Sequence, residues 1–270
     1  MQRSFKNQII GLIRFSYPTT DGFRSNHPSI KDAEDFLYAP KRLDHRFDLF
    51  EKFTLPSLRA QTDQNFTMIL LTGEMLPAQY NDRLINLVQD LPFVHIMQRP
   101  SLPHYRAIKQ AFKSVDKADF THRTTFRLDD DDALDNRFVE KLRHHSGSLA
   151  VSLAKDVPTV LSFNKGLYVD YTTSPPEIFD AIERTPLSVG TAMIAPIDYV
   201  DNIYRRNHRL LGQFYNIYSS CDDVAYIRTI HAHNDSKPAF SGKVRGMAED
   251  KIDHILKQGF GLTRTDIMSL

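Results

Sequence analysis

The first half of the chain alternates short apolar runs with segments in which apolar residues recur every three or four positions. Four apolar runs have the length and the flanking turn residues of buried strands: 9–15, 66–71, 93–97 and 124–128. Helices are predicted to begin near Leu43, Pro77 and Pro103, and Pro56 is expected to kink or end the first of them. Strand and helix therefore alternate four times, which predicts an α/β fold with a mostly parallel, doubly wound sheet in a single domain.

The second half of the chain is less regular and contains more predicted strands. Residues 159–163 and 167–171 predict a hairpin across the turn sequence Asn164-Lys165-Gly166. The apolar run 189–194 predicts a further strand, whereas 222–230 fits either a helix or a strand.

Composition narrows the class of protein without deciding its function. With 41% hydrophobic residues, 25% charged residues and a formal net charge of +1, the chain has the balance of a soluble globular protein. Near-neutral charge argues against nucleic acid as the main partner. The lone Cys221 excludes an intrachain disulfide and suits a reducing compartment. No signal peptide and no run approaching the ~20 apolar residues of a membrane span is evident, so we expect a cytoplasmic protein.

The most informative feature is a run of four aspartates, Asp129 to Asp132, directly after the fourth apolar run. Adjacent carboxylates repel each other strongly unless a cation neutralises them or water screens them. Because α/β folds place ligands at the carboxyl ends of their strands, this position favours a site for a metal ion and a diphosphate.

Other interpretations of the aspartate run are simpler or more specialised. Its members could be solvated loop charges, with Asp135 capping the helix that follows. A calcium loop would need regularly alternating oxygen ligands and a central glycine, which are missing. Phosphatases that transfer phosphate to an aspartate require a different sequence where Asp132 and Ala133 stand.

Arginines near two predicted strand ends could contribute to phosphate binding. Arg14 and Arg127 lie at or beside the ends of the first and fourth apolar runs, where a guanidinium can pair with phosphate. The alternative for both is a surface ion pair with the acidic run. The chain has no G-x-G-x-x-G or Walker loop, so phosphate binding would depend on a metal rather than on glycine-rich backbone.

Three separated motifs resemble a known family. Residues 55–71, with their Leu-Pro-Ser-Leu, Gln-Thr and Ile-Leu-Leu elements, resemble the first βαβ unit of GT-A glycosyltransferases. Residues 127–134 look like the D-x-D element of these enzymes in its D-x-D-D form. Residues 37–50 are similar to the corresponding part of a bacterial rhamnosyltransferase family. The resemblance covers about 9–234 and implies a GT-A-like, Rossmann-like sheet flanked by helices.

The resemblance also implies roles for the aspartates. Asp129 would approach the nucleotide ribose and Asp131 would bind the metal, for which Mn²⁺ or Mg²⁺ is suited by hard oxygen ligands. Asp132 would support the metal site from outside or contact the sugar. Asp130 occupies the variable position of the motif and is expected to point away.

Two later elements resemble the metal histidine and the catalytic base of inverting GT-A enzymes. His231 matches the late metal ligand, and we expect that His233, two positions further on, does not bind the metal. Asp222 and Asp223 occupy about the place of the base that takes the proton from the acceptor hydroxyl. Capping of a following helix is the alternative for these two aspartates.

The resemblance thus implies a metal-dependent enzyme that moves a sugar, possibly rhamnose, from a nucleotide-sugar donor to a hydroxyl acceptor such as a glycan, with inversion. The catalytic domain would span 1–245, divided into a nucleotide-binding half (1–135) and an acceptor half (136–245). Residues 246–270 would form a C-terminal helix and, after Gly261, a loosely packed tail.

Two rival functions remain open. A nucleotidyltransferase shares the sheet and the acidic metal site, but usually has a glycine-rich, lysine-containing loop after the first strand, unlike residues 14–18 here. A nucleotide-sugar or glycan-binding module without turnover is the other alternative. Hydrolysis of the donor in the absence of acceptor would distinguish an enzyme from such a module.

Overall fold

A computed structural model describes residues 5–21, 27–152, 157–234 and 241–269. Within these ranges the strands are β1 (Asn7–Arg14), β2 (Thr67–Gly73), β3 (Val94–Arg99), β4 (His122–Arg127), β5 (Ala133–Leu134), β6 (Thr159–Phe163), β7 (Lys165–Asp170), β8 (Glu177–Ile182), β9 (Thr191–Pro196), β10 (Asn216–Ser220), β11 (Tyr226–Ile230) and β12 (Lys243–Val244). The α-helices are α1 (Ile30–Leu37), α2 (Pro40–Leu49), α3 (Leu55–Arg59), α4 (Ala78–Val88), α5 (His104–Lys113), α6 (Phe138–Ser152), α7 (Glu249–Ile255) and α8 (Arg264–Met268).

The larger sheet has the strand order β10-β6-β9-β4-β1-β2-β3. Strand β1 lies parallel to β2 and β4, β2 is parallel to β3, and β10 is parallel to β6. Only β9 runs against its neighbours in this sheet. The predicted mostly parallel α/β sheet is therefore confirmed, and strands from both predicted halves of the chain share it.

The predicted hairpin between β6 and β7 is wrong. Strand β6 lies between β9 and β10, whereas β7 lies between β8 and β11 in a smaller sheet of order β12-β8-β7-β11-β5. Asn164 joins them by donating its backbone N–H to the carbonyl of Ser220 and its side-chain amide to the carbonyl of Glu183. Both strands are buried along most of their length, and each is an inner strand of a different sheet.

Pro56 does not end its helix. Helix α2 continues through a π-helical turn, Phe50–Thr54, into α3, with the Leu55 N–H bonded to the Phe50 carbonyl. Such a widened turn accommodates a residue that lacks an N–H. It also lets Thr54 donate its hydroxyl to the carbonyl of Asp132 at 2.8 Å, which fixes the helix against the aspartate run.

The C-terminal segment packs on the core, so the predicted loose tail is wrong. Helix α7 leads through a second π-helical turn, Leu256–Phe260, towards α8. Ile267 of α8 is fully buried, and the Tyr171 hydroxyl donates to its carbonyl at 3.0 Å. Residues of α7, the π-helical turn and α8 share one hydrophobic cluster with Leu49 and Phe53.

The helix after the aspartates begins later than predicted. Helix α6 starts at Phe138, and the Asp135 carboxylate accepts the Arg137 N–H at 3.2 Å in the turn before it. Strand β5 intervenes and pairs with β11, which brings the aspartates beside the end of β11. Among the helices described above, none is long and apolar enough to cross a membrane.

Candidate active site

A cavity of about 480 Å³ lies where β1 and β4 end. These strands are parallel neighbours in which Leu12 pairs with Arg127, so Arg14 and Arg127 emerge together. The aspartate run forms one part of the cavity wall, and Arg14, Arg127, Arg209 and Arg228 contribute to the rest. Carboxylates and guanidinium groups therefore face one space at the sheet edge where α/β folds bind ligands.

The aspartate run is not a solvated loop. Asp130, Asp131 and Asp132 are buried, at 1%, 5% and 2% exposure. The Asp129 side chain is 32% exposed and lies 3.9 Å from Nη2 of Arg14. Burial of adjacent carboxylates requires that other groups in the fold compensate their charge.

Arg46 supplies much of that compensation, and the sequence did not point to it. Its Nη1 donates to Oδ2 of Asp131 at 2.9 Å, while Nε (3.2 Å) and Nη2 both donate to Asp130. The expectation that Asp130 points away is therefore wrong, because its carboxylate forms a bidentate pair in the protein interior. Arg46 lies within the family-like motif 37–50, and asking which cation neutralises the aspartates could have identified it.

His231 and Asp131, the two residues that the resemblance implies as metal ligands, are in contact. Nε2 of His231 lies 2.9 Å from Oδ2 of Asp131, which also accepts from the Asn234 amide at 3.2 Å. Burial alone would raise the pKa of Asp131, but Arg46 and His231 hold it below its ordinary value. Nδ1 of His231 accepts the His233 N–H at 3.2 Å, so in this arrangement Nε2 carries the proton and donates it to Asp131.

Asp132 has the opposite electrostatic character. Its Oδ1 accepts the Thr229 N–H at 3.0 Å. Burial, and then the charges of Asp131 and Asp129, raise its pKa well above the ordinary value, although Arg228 opposes this shift. The protein's own groups therefore do not fully compensate the charged form of Asp132, which is the condition under which a bound cation is favourable.

Arg127 lies on Tyr204, a residue that the sequence did not reveal as part of the site. The guanidinium carbon is 4.3 Å from the centroid of the Tyr204 ring, and the Tyr204 hydroxyl donates to the Leu12 carbonyl at 2.6 Å. Arg127 is buried, and its Nε and Nη1 have no hydrogen-bond partner in the part of the chain that the structure describes. Burial lowers the pKa of Arg127, and a cation–π contact compensates only part of the lost hydration.

Three histidines that were not predicted also line the cavity, and two of them, His104 and His208, are largely buried. Burial, followed by the charges of nearby arginines, lowers the pKa of His104 to about 2 and that of His208 to about 3. Both imidazoles are therefore neutral at physiological pH, and each can donate or accept a hydrogen bond. No spacing in the sequence distinguished them from the other histidines.

Asp222 and Asp223 are not brought to the cavity. Both are exposed and precede β11, whereas His231 directly follows that strand. A five-residue strand spans roughly 16 Å, so the two aspartates lie at the far end of β11. Asp223 instead forms an ion pair with Lys141 at 3.3 Å. The expectation that one of them faces the crevice is wrong, and the catalytic role predicted for them has no support from this geometry.

Comparison with protein families agrees with the motifs. The model of a family described as "Putative rhamnosyl transferase" matches residues 8–243. The chain belongs to this family. The match extends from β1 to β12 and includes every residue that lines the cavity.

The chain is also similar to solved structures at low sequence identity. The S. aureus TarS 1-349 structure with UDP-GlcNAc is 12% identical, with 84% of this chain and 60% of that chain covered and a TM-score of 0.43. The 4-diphosphocytidyl-2C-methyl-D-erythritol synthase of Anaerococcus prevotii is 11% identical, covering 79% and 87%, with a TM-score of 0.36. This member of the rhamnosyl transferase family spans about 60% of the length of the TarS 1-349 chain. A search of curated proteins finds no significant match.

Proposed function

We propose that this chain transfers a sugar from a nucleotide-sugar donor to a hydroxyl of an acceptor such as a glycan. Membership of the rhamnosyl transferase family favours rhamnose as the sugar. By resemblance to inverting GT-A enzymes, the transfer would invert the anomeric centre. The UDP-GlcNAc bound to TarS is consistent with a nucleoside diphosphate as the leaving group.

The observation that carries the proposal is the buried guanidinium of Arg127. Its Nε and Nη1 lack partners in the described chain, although they lie beside the cavity. Leaving buried charged donors unsatisfied is costly, and an anionic ligand removes that cost. A diphosphate is a suitable anion, because its oxygens accept from a planar guanidinium in the same way as a carboxylate does.

A divalent cation fits the opposite wall. The described residues contain no group of three His, Cys, Asp or Glu side chains arranged to hold a metal, but Mg²⁺ commonly uses one or two carboxylates and completes its shell with substrate phosphates and water. Asp131 would hold Mn²⁺ or Mg²⁺, and Asp132 would benefit from the added positive charge. His231 is the second predicted ligand, and it would have to adopt the tautomer in which Nε2 is unprotonated. When bound, the ion would supply charge neutralisation for the departing diphosphate.

The protein's own side chains would bind and orient the donor. Arg127, held by Tyr204, and Arg14 would orient the diphosphate, while Asp129 would contact the ribose as the resemblance implies. Arg46 keeps Asp131 ionised and in place. Burial of the cavity's inner wall excludes water, which strengthens each of these electrostatic contacts.

Calorimetric titration with UDP and with dTDP tests the donor site. We expect binding with Mn²⁺ and little binding in EDTA, and Asp131→Asn should abolish the metal-dependent part. Arg127→Met should weaken binding about 10-fold or more under both conditions, since it removes a charge-assisted contact. Asp90→Asn, at an exposed aspartate that does not line the cavity, is the matched control. Metal-independent binding that Arg127→Met leaves intact would contradict the proposal.

Turnover separates the enzyme from its rivals. Incubation with nucleotide-rhamnose and other nucleotide sugars should release nucleoside diphosphate, and NMR of the glycoside product should show an inverted anomeric centre. Formation of a nucleotide sugar and pyrophosphate from a nucleoside triphosphate and a sugar phosphate would establish a nucleotidyltransferase instead. Donor binding without any turnover would establish a binding module.

A further inference from the structure

Arg228 brings a guanidinium without an ion pair to the cavity. It lies in the middle of β11, is partly exposed and lines the cavity wall. Within the described ranges of the chain, no carboxylate lies within ion-pair distance of its side chain. A guanidinium keeps its charge at any physiological pH, so Arg228 can bind an anion that enters the cavity.

Tyr168 supports the Arg228 side chain from the neighbouring strand. In the parallel pairing of β7 with β11, Tyr168 lies opposite Arg228, and the guanidinium carbon is 5.9 Å from the centroid of the tyrosine ring. The ring stacks on Phe179 of β8, with a centroid distance of 5.6 Å and an interplanar angle of 8°. A cation–π contact with a fixed ring favours one placement of the guanidinium.

A buried carboxylate ties down the Tyr168 hydroxyl. Glu183 is 2% exposed, and its Oε1 accepts from the Tyr168 hydroxyl at 2.8 Å. Its Oε2 accepts from the backbone N–H of Ser241 at 3.0 Å and also from the Ser241 hydroxyl. Movement of the tyrosine away from Arg228 would leave a buried carboxylate oxygen without its donor, which is costly. Glu183 therefore acts on Arg228 through Tyr168.

Arg228 and Arg127 come from different sheets but lie near the same carboxylate. The charge of Asp129 acts on both guanidinium groups. Burial lowers the pKa of Arg228, but Asp132 and Tyr168 outweigh burial and raise it. The two arginines are also supported alike, since each lies on a tyrosine ring whose hydroxyl is bonded to another part of the fold. Two like charges in one cavity repel each other, and an anion bound to both removes that repulsion.

We propose that Arg228 is a second guanidinium that binds the diphosphate of the donor, and that Tyr168 and Glu183 are its positioning residues. This inference rests on the proposed nucleotide-sugar transfer and assigns a further binding residue to it. A diphosphate has oxygens on both phosphate groups, so one arginine from each sheet can bond to it. Arg228 would also stabilise the electron pair that the diphosphate oxygen keeps when its bond to the sugar breaks.

Neutralisation of the aspartate run is the competing role for Arg228, and it predicts the opposite result. If Arg228 served only Asp132 and Asp129, its removal would leave more negative charge beside the metal site. Mn²⁺ would then bind more tightly, and a nucleotide that binds together with Mn²⁺ would not be weakened. If Arg228 binds the diphosphate, its removal weakens nucleotide binding even when Mn²⁺ is saturating.

Calorimetric titrations with UDP and with dTDP at saturating Mn²⁺ test the assignment. Arg228→Met should weaken nucleotide binding about 10-fold or more, the scale of a hydrogen bond to a charged group. Arg228→Lys should fall between this variant and the wild type, because it keeps the charge without the planar fork. Arg59→Met, at an exposed ion pair outside the cavity wall, is the matched control. Unchanged or tighter nucleotide binding by Arg228→Met would overturn the inference.

A double-variant cycle tests the positioning residues. Tyr168→Phe keeps the ring but removes the hydroxyl, and Glu183→Gln removes the charge that the hydroxyl contacts. Each should weaken UDP binding about 2-fold or more in the wild-type background and should have no effect in the Arg228→Met background. Tyr171→Phe, which removes a hydroxyl bonded to the Ile267 carbonyl at 3.0 Å, is the matched control. Equal losses with and without Arg228 would show a general disturbance of the fold and overturn the positioning role.

Arg127→Met, measured on the same day and in the same buffer, separates this inference from the proposed function. If Arg127→Met weakens UDP binding and Arg228→Met does not, the proposed function stands and the role of Arg228 is refuted. A wild-type protein that binds neither UDP nor dTDP refutes both.

Discussion

Replacing Arg46 by methionine should destabilise the protein strongly, because two buried carboxylates would lose their cation. The side chains of Arg46, Asp130 and Asp131 are only 7%, 2% and 6% exposed, so water cannot take the place of the guanidinium. Removing one partner from a buried ion pair costs about 3–5 kcal/mol. We expect a loss in that range at pH 7, which is a large fraction of the roughly 5–15 kcal/mol that stabilises a typical domain.

Urea unfolding measures this loss. The chain contains no tryptophan, so circular dichroism is the appropriate signal, with the free energy obtained by linear extrapolation. EDTA should be present throughout, so that no divalent cation substitutes for the missing guanidinium. Arg59→Met provides the control, since Arg59 pairs with Asp90 at 2.8 Å but the two side chains are 42% and 58% exposed. Such surface pairs contribute about 0–1 kcal/mol.

A second substitution tests the physical cause. The double variant Arg46→Met/Asp130→Asn removes one of the two uncompensated charges, and we expect it to be more stable than Arg46→Met alone. If Arg46→Met costs no more than Arg59→Met, the buried pair does not stabilise the fold and the argument fails. If the double variant is less stable than Arg46→Met, the loss comes from packing rather than from unpaired charge.

Three further outcomes follow from the site. The pKa of His208 is about 3 in the folded protein and ~6.5 in an unfolded chain, so between these pH values only the unfolded state binds the proton, and stability falls as the pH drops from 6.5 towards 3. His208→Gln should remove about 1.4 kcal/mol per pH unit of that dependence, measured by urea unfolding at a series of pH values. An unchanged slope of stability against pH would contradict this expectation. Tyr204→Ala should weaken UDP binding more than Tyr204→Phe, because only the phenylalanine keeps an aromatic ring against Arg127. Equal UDP affinities of the two variants in calorimetry would show that the ring does not support Arg127. Asp222→Asn and Asp223→Asn should each retain wild-type turnover in a coupled assay of nucleoside diphosphate release, whereas a 10²-fold or greater loss in either would restore the role predicted for them.

The features that the sequence by itself determined are those that depend on local pattern. Apolar runs and helical spacing predict the alternation of β1 to β4 with helices, because the period of burial differs between a strand and a helix. The place of Asp129 to Asp132 is equally local, since residues that follow a parallel strand must lie at its carboxyl end. That His231 and Asp131 belong to one site was expected only through the resemblance to a family motif.

Tertiary structure alone decided which distant groups share the site. Arg46 and Asp131 are 85 positions apart, and although the aspartates call for a cation and Arg46 lies in a family-like motif, the local sequence does not select this arginine from the others. Tyr204 reaches Arg127 only because its segment folds back across the sheet and bonds to β1. The separation of β6 from β7 has a similar origin: a good turn sequence favours a hairpin locally, but burial of both strands in two different sheets outweighs that preference. The place of Asp222 and Asp223 was decided in the same way. The direction of β11, set by its pairing with β7 and β5, brings His231 to Asp131 and leaves these two aspartates at the opposite end of the strand.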